Sequence, residues 1–414
     1  MINGGMMGMP LHSGKPPRWL TDRMGKLGTA IIESVAQNYS KSEVLTRLSN
    51  PNWFQAFGAV TGMHWNSSGV TATLLGSLKR KINPIALDLG IYILGGKGKY
   101  SYYAPREIKK VSEQHGLKGN ELVKSCMLSR KVDSSGIIDG YNIYQQYFIL
   151  SDEGDWTSIT QGMDTSKLRA RRYHWHSNSV KSFVSNPHKG IVGKNEGKIL
   201  NLVDSRADFS RKNIVNLHKE NRNEILKAMK YTSLPNRHDV RESDVDMKRL
   251  GAVLDLSYDK GIDNFEDLLM LKGVGPKTIK TLALVSEVIH GDSSRFDDPA
   301  RFSFAVGGKD GRPHPVDTES YDETIEILSS AVEKSKLGYN DKSKVLKTLH
   351  KRVVNNETNF SPTSFLEDFI DSEWNNAEKN GGMTFMGKTI KGLTRAIMSI
   401  QNSILYDNYK KDYK

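Results

Sequence analysis

The chain has 414 residues, with 59 Lys and Arg against 47 Asp and Glu, so its formal net charge at pH 7 is +12. This length exceeds the size at which a single hydrophobic core stops growing, and the basic balance favours a polyanionic partner, with nucleic acid as the first candidate. The one cysteine, Cys126, excludes an internal disulfide, a four-cysteine zinc site and an iron–sulfur cluster.

The N-terminal stretch is rich in Met and Gly but lacks the continuous apolar region of a signal peptide. No segment reaches the roughly 18 apolar residues that a membrane-spanning helix requires. We therefore expect a cytoplasmic protein that has no membrane partner.

Residues 1–204 predict a mixed α/β domain. The first eighty residues repeat apolar positions at helical spacing, as in "WLTDRMGKLGTAIIESVAQNY". The pattern then changes, because "LGIYILGGKGKYSYY" is a β-rich run broken by a glycine loop, and "YNIYQQYFILSDEGDWTSITQGM" predicts two strands around an acidic turn. The segment "GIVGKNEGKILNLV" predicts a further hairpin.

The rest of the chain is predicted to be mostly helical. We expect a helical connection and linker over residues 205–245, a helical domain over 246–375, and a basic C-terminal helix and tail over 376–414. Because a mixed α/β part precedes a mostly helical one, the predicted fold class is α+β.

The helical domain contains the stretch "LLMLKGVGPKTIKTLALV". Gly273 and Gly275 end one helix, Val274 between them fits the core, and Pro276 begins the next helix where its missing N–H costs nothing. Such a hairpin exposes the free N–H groups of a helix N-terminus, which bind phosphate together with nearby cations. The DNA contacts predicted here are Gly273, Val274, Gly275, Lys277, Thr278 and Lys280.

This stretch resembles the helix-hairpin-helix motif of DNA-repair and recombination proteins through Leu271, Gly273, Val274, Gly275 and Thr278. The resemblance implies that the hairpin holds the DNA backbone without reading its sequence. It also implies a monovalent cation held by carbonyl groups of the hairpin. A turn whose glycines serve packing alone is the alternative.

Together with the downstream "HPVDTESYDETIEIL", the hairpin also resembles the signature of helix-hairpin-helix DNA glycosylases. That resemblance implies Lys277 as a Schiff-base nucleophile and Asp317 as the assisting carboxylate. A lysine whose pKa is lowered by desolvation attacks a sugar C1′, and a carboxylate stabilises the developing positive charge. The interval before Asp317 is longer than in those enzymes, and Asp317 also fits the N-cap of a helix.

The N-terminal domain supplies a candidate metal site. Asp133 and Asp139 precede a strand, with Lys131 near them and more acidic residues in the following turn. Carboxylates that converge at a sheet edge hold Mg²⁺ and polarise a phosphodiester, as a metal-dependent nuclease requires. The sequence therefore predicts a Mg²⁺ site at Asp133 and Asp139, with solvated turn residues as the alternative.

Lys97 and Lys99 lie in a glycine-rich loop that follows a strand. Loop amides and cations arranged in this way bind phosphate, so both lysines are candidate DNA contacts. A solvated basic turn is the alternative.

The segment "RARRYHWHSNS" interleaves cations with aromatic residues. Cations neutralise phosphates and aromatic rings stack on unpaired bases, so Arg169, Arg171 and Arg172 are predicted to contact DNA. The alternative is a strand whose Tyr173 and Trp175 face the core.

Several segments between about Pro10 and Leu328 are shared with one known family, including "NWFQAFGAVTGMHWNSSGVT", "SRKVDSSGIIDGYNIYQQYF", "GVGPKTIKTLALVSE" and "DPARFSFAVGGKDGRPHPVD". By these segments the sequence is similar to domain-of-unknown-function 763, an uncharacterised family found mainly in archaea and bacteria. The resemblance implies a grouping and no particular reaction.

Taken together, these features predict a sequence-independent DNA-binding protein of genome maintenance and DNA repair. For its second function, a metal-dependent nuclease is favoured over a base-excision glycosylase/lyase that uses Lys277 and Asp317. A non-catalytic DNA-binding adaptor is the third hypothesis. Protein partners and oligomeric state stay open.

Overall fold

The computed structural model describes residues 9–11, 16–63, 67–220, 247–291 and 296–300. All of these belong to one of the two compact units into which the chain divides. Asp317, the C-terminal segment 376–414 and most of the predicted linker 205–245 lie outside the described residues. The predicted boundaries of the helical domain and of the tail therefore stay predictions.

Five helices occupy the first part of the chain: α1 Arg18–Asn38, α2 Lys41–Ser49, α3 Pro51–Val60, α4 Ser68–Ile82 and α5 Ala86–Leu89. Residues next to the helix starts determine where α2 and α3 begin. The Ser40 hydroxyl accepts from the Glu43 amide, and the Asn50 side chain accepts from the amide of Asn52, with Pro51 as the first residue of α3. The helical prediction for this region is confirmed.

The main sheet is antiparallel and has the order β1, β6, β5, β4, β2, with β7 also paired to β6. Its strands are β1 Met9–Pro10, β2 Ile91–Lys97, β4 Asn142–Ser151, β5 Trp156–Asp164, β6 Arg169–His176 and β7 Gly190–Val192. The acidic turn between β4 and β5 contains Gly154 at φ +95°, as a tight connection requires. The prediction of this hairpin is confirmed.

Both faces of the sheet are covered. Side chains alternate between the faces, so Ile91, Ile93 and Ile149 pack with helices α1 to α4, whereas Leu94 and Phe148 point to the opposite side. The strands accordingly have few exposed positions. Strand β6 pairs with β5 along one edge and with β1 and β7 along the other, so it is an internal strand.

The second face carries the remaining elements. These are α6 Ala104–His115, α7 Gly119–Lys131, a π-helical turn Val132–Gly136, α8 Asp208–Asn216, α9 Met247–Asp259, α10 Phe265–Met270 and α11 Pro276–His290. A small sheet of β3 Ile137–Ile138, β8 Lys198–Asn201 and β9 Phe296–Asp297 lies beside them. The fold is α+β, as the sequence predicts.

One hydrophobic cluster joins the sheet to the helices near residue 270. It contains Phe148 and Trp175 of the sheet, Leu202, and Leu269 and Ile279 of α10 and α11. The predicted domain boundaries at 204 and 245 stay predictions. The described residues on the two sides of them share a core.

Two local predictions are wrong. The segment around residues 190–203 is not a hairpin, because β7 pairs with β6 in the main sheet and β8 pairs with β3 and β9 in the small one. The tyrosine-rich residues after Lys97 form a 3₁₀ helix, Gly98–Tyr103, rather than more strand. Gly98, the first residue after β2, has a φ of +60°, a conformation that favours glycine where the chain leaves the sheet.

Candidate nucleic-acid interface

Helices α10 and α11 form a hairpin, which we call the 265–290 hairpin. Helix α10 begins where the Asn264 side chain accepts from the amide of Asp267 at 2.9 Å. The chain reverses at Gly273, whose φ of +91° favours glycine, and Pro276 is the first residue of α11. The two helices and their turn follow the pattern that the sequence predicts.

The inner side of the hairpin is anchored in the core. Val274 is buried between the helices, and its amide donates to the Leu271 carbonyl at 3.2 Å. Thr278 is buried too, and its hydroxyl donates to the Gly273 carbonyl at 3.4 Å. Predicted contacts Val274 and Thr278 therefore shape the turn rather than line its surface.

The outer side of the tip is open. A Cβ added at Gly273 or Gly275 would meet no atom within 4 Å. Lys272 and Lys277 are exposed beside this opening, and Lys280 is half-buried. Among the described residues, no side chain caps the N-terminus of α11, so its first amides lack a side-chain acceptor there.

Helix α7 supports the hairpin from the N-terminal part of the chain. The Lys131 ammonium donates to the Val274 carbonyl at 2.8 Å, and Lys124 pairs with Asp267 at 3.4 Å on the surface. Burial lowers the pKa of Lys131. The resemblance assigns a monovalent cation to hairpin carbonyls, and here one of those carbonyls accepts from an ammonium group.

Lys97 and Lys99 lie on the surface, each beside a different tyrosine ring. Lys99 Nζ is 5.5 Å from the ring centre of Tyr100, and Lys97 Nζ is 5.8 Å from that of Tyr144. Both lysines are exposed, as a phosphate contact requires. Their assignment as DNA contacts stays a prediction.

Arg171 and Arg172 are internal. Both are 0% exposed, because β6 is covered on its two faces. Arg171 Nη1 donates to Asp139 at 2.7 Å, and its Nη2 donates to Asp298 at 2.6 Å. The expectation that these two arginines offer exposed phosphate contacts is therefore corrected, while Arg169 at the start of β6 is half-buried.

Arg172 points to the face opposite to Arg171, beneath helices α3 and α4. Its Nε donates to His174 Nε2 at 2.8 Å, and its guanidinium lies 4.6 Å from the ring centre of Phe54. No carboxylate pairs with it among the described residues, and burial lowers its pKa to about 9. Tyr173 and Trp175 of the same strand face the core, which confirms the alternative interpretation of this segment.

Asp133 and Asp139, the predicted metal ligands, are buried in two neighbouring hydrogen-bond clusters. Asp133 lies in the π-helical turn and accepts from Thr160, from Trp175 Nε1 at 3.1 Å and from His188 Nε2 at 2.6 Å.

Asp139 accepts from the Tyr173 hydroxyl at 2.7 Å and from Arg171. Burial raises its pKa, and Arg171 opposes that rise. Within the ranges that the structure describes, no group of three or more His, Cys, Asp or Glu side chains could hold a metal ion. Asp133 and Asp139 are thus occupied by protein partners, and the Mg²⁺ site stays a prediction without a described ligand set.

The predicted catalytic pair is only partly described. Lys277 is exposed at the hairpin tip, without the apolar surroundings that favour a nucleophilic amine. Its predicted partner Asp317 lies outside the described residues. The glycosylase/lyase hypothesis therefore stays a prediction.

A comparison with known protein families matches residues 5–316 to the family described as "Protein of unknown function (DUF763)". The chain belongs to this family. Every described residue lies within the matched range, so the sheet, the buried arginines and the 265–290 hairpin all belong to the DUF763 region. Comparison with curated proteins and with solved structures gives no match.

Two features of this DUF763 chain were not predicted from the sequence. The rings of Tyr100, Tyr102 and Tyr103 are exposed on a 3₁₀ helix rather than part of a strand, and Lys131, expected beside the candidate metal ligands Asp133 and Asp139, contacts the hairpin. The alternation of lysine, glycine and tyrosine in "GKGKYSYY" was a usable signal. No helix in the described ranges has both the length and the apolar character needed to cross a membrane.

Proposed function

We propose that this protein binds DNA through its phosphate backbone, independently of sequence, and that the 265–290 hairpin makes the contact. One observation carries the proposal. The hairpin tip is open at Gly273 and Gly275 and has exposed Lys272 and Lys277, while Val274 anchors it in the core.

Hydrogen-bond donors, the helix dipole and the net charge all favour an anion at this tip. The first amides of the 15-residue helix α11 have no intrahelical acceptor, and the helix dipole makes this end positive. Glycines at the tip let a phosphate approach the main chain closely. The chain's net charge of +12 attracts a polyanion over longer distances.

A role in genome maintenance rests on the resemblance to the helix-hairpin-helix motif. A nuclease or a glycosylase/lyase activity is a separate hypothesis. The contacts of Asp133, Asp139 and Lys277 favour neither of them, so the proposal is limited to binding.

The first prediction tests the hairpin with the double substitution Gly273→Val and Gly275→Val. Valine is strained at the φ of Gly273, +91°, and a side chain at position 275 fills the opening that a phosphate would enter. We expect the affinity for a blunt duplex, measured by fluorescence anisotropy, to fall about fivefold or more. Wild-type affinity should fall steeply with salt and depend little on sequence.

The matched control is Gly261→Val. Gly261 also has a positive φ, +58°, and open space around its Cβ position, but it lies before α10 rather than at the tip. It should reproduce the strain without the loss of affinity. Unchanged DNA affinity in the hairpin variant, with its near-UV circular dichroism intact, would falsify the role of the hairpin.

A further inference from the structure

Three exposed tyrosines lie on the 3₁₀ helix that follows β2. Tyr100, Tyr102 and Tyr103 are 55%, 70% and 49% exposed, although large aromatic side chains usually bury most of their surface. We use the name tyrosine surface for these three residues with Lys97, Lys99 and Arg130.

We propose that the tyrosine surface binds unpaired, single-stranded DNA by stacking bases on its exposed rings. This proposal rests on the proposed function. The hairpin binds the duplex, and the tyrosine surface binds the single strand that extends from that duplex. The preferred substrate is then a duplex with a single-stranded extension.

The tyrosine surface is held rigidly by its own contacts. Ser101 is buried, and its hydroxyl donates to the Gly98 carbonyl at 2.7 Å. Arg130 Nη1 donates to the same hydroxyl at 2.8 Å. Because this 3₁₀ turn is fixed before any ligand arrives, a base that stacks on it loses little affinity to ordering of the protein.

Cations surround the rings. The Arg130 guanidinium is 4.4 Å from the ring centre of Tyr102, and Lys99 Nζ is 5.5 Å from that of Tyr100. Aromatic faces that stack bases, interleaved with cations that neutralise phosphates, are the features by which proteins bind single strands.

The sequence next to the tyrosine surface has few acidic residues to offset its positive charge. Between Lys97 and Lys110 the chain has five basic residues and the single carboxylate Glu107. That carboxylate is paired with Lys79 at 2.8 Å. The segment therefore presents a net positive surface, which favours a polyanion over an acidic protein partner.

The end of helix α7 joins the tyrosine surface to the hairpin. Arg130 contacts Tyr102 and Ser101, and the next residue, Lys131, donates to the hairpin carbonyl of Val274 at 2.8 Å. Neighbouring residues are about 3.8 Å apart along the chain. Helix α7 thus contacts both the hairpin and the tyrosine surface, and the proposal assigns the junction between duplex and single strand to this part of the protein.

The experiment compares the full chain on three labelled DNAs: a blunt duplex, the same duplex with a single-stranded thymine extension, and the free single strand. The double variant Tyr100→Ala and Tyr102→Ala is measured beside Tyr100→Phe and Tyr102→Phe, which retain the rings. The matched control is Tyr39→Ala, because Tyr39 is 54% exposed and lies under Arg47 but is outside the tyrosine surface.

We expect the wild-type protein to bind the extended duplex more tightly than the blunt one. The alanine variant should lose about fivefold or more of its affinity for the extended duplex and keep its affinity for the blunt duplex. The phenylalanine variant and the Tyr39 variant should behave like the wild type.

Three outcomes overturn the inference. Equal wild-type affinity for blunt and extended duplexes removes the basis for it, even if the hairpin prediction holds. An unchanged preference in the alanine variant assigns the tyrosines to another partner, such as a protein. Failure to bind any of the three DNAs overturns the proposed function as well, so the two failures are distinguishable.

Discussion

His174 and Arg172 are neighbours on one face of β6, and neither reaches solvent. Burial, together with the Arg172 guanidinium, holds the pKa of His174 well below its ordinary value of 6.5. The imidazole is therefore neutral near pH 7, which agrees with its Nε2 accepting from Arg172 Nε at 2.8 Å. Arg172, which no carboxylate pairs with in the part of the chain that the structure describes, thus keeps a hydrogen bond in the core.

This geometry predicts a pH dependence of stability. Below the ordinary histidine value of 6.5 the unfolded chain binds a proton at residue 174 and the folded chain does not, so the free energy of unfolding falls as pH falls. One such group contributes up to about 1.4 kcal/mol per pH unit. The variant His174→Gln keeps an acceptor for Arg172 but does not titrate.

The measurement is the denaturant midpoint of the wild type and of His174→Gln between pH 7 and pH 5, in steps of about one pH unit. The difference between the two proteins isolates residue 174, since His176, whose pKa burial also lowers, is present in both. Parallel curves would show that His174 does not stay neutral in the folded protein.

At the scale of elements, the hairpin depends on a contact with α7. Lys131 is half-buried and donates to the carbonyl of Val274, the residue between the two hairpin glycines. A charged donor on a backbone carbonyl stabilises more than a neutral one. Helix α7 therefore holds the turn that the proposed function uses.

We predict that Lys131→Met loosens this turn. Methionine retains the apolar stem but leaves the Val274 carbonyl without its donor, so hydrogen exchange at the Val274 amide should accelerate about tenfold. Affinity for blunt duplex should fall at the same time. The matched control is Lys124→Met, which removes only the exposed pair with Asp267 and should change exchange little. Equal exchange rates in both variants would rule out a special role for Lys131.

At the scale of the whole molecule, the described residues before 220 and after 247 share one hydrophobic cluster. Leu269 of α10 is 0% exposed and belongs to the same cluster as Phe148 of β4. Helices that bury their apolar side against a sheet gain most of their stability from that packing. The hairpin and the sheet should therefore unfold together.

The corresponding prediction is that Leu269→Ala destabilises both parts by about 2 to 5 kcal/mol. Hydrogen exchange at the β5 amides should accelerate as much as exchange within α11. Leu87→Ala, at a position 66% exposed, serves as the control and should change neither. Faster exchange confined to α10 and α11 would show that the predicted boundary at 245 separates two independent domains.

Local chemistry determined much of this protein from its sequence alone. Gly273 and Pro276 specify the hairpin because positive φ and a missing N–H are properties of single residues. The turn at Gly154 and the period of the flanking strands specify the β4–β5 hairpin in the same way. These features, and the α+β class built from them, need only neighbouring residues.

Tertiary structure alone decided which charged groups are exposed. The period of β6 places Arg171 and Arg172 on opposite faces, but it does not reveal that helices cover both faces. Asp133 meets His188, 55 residues away, and Lys131 meets Val274, 143 residues away. Such pairings depend on packing between distant elements, so a sequence pattern supplies the side chains and only the folded chain determines their partners.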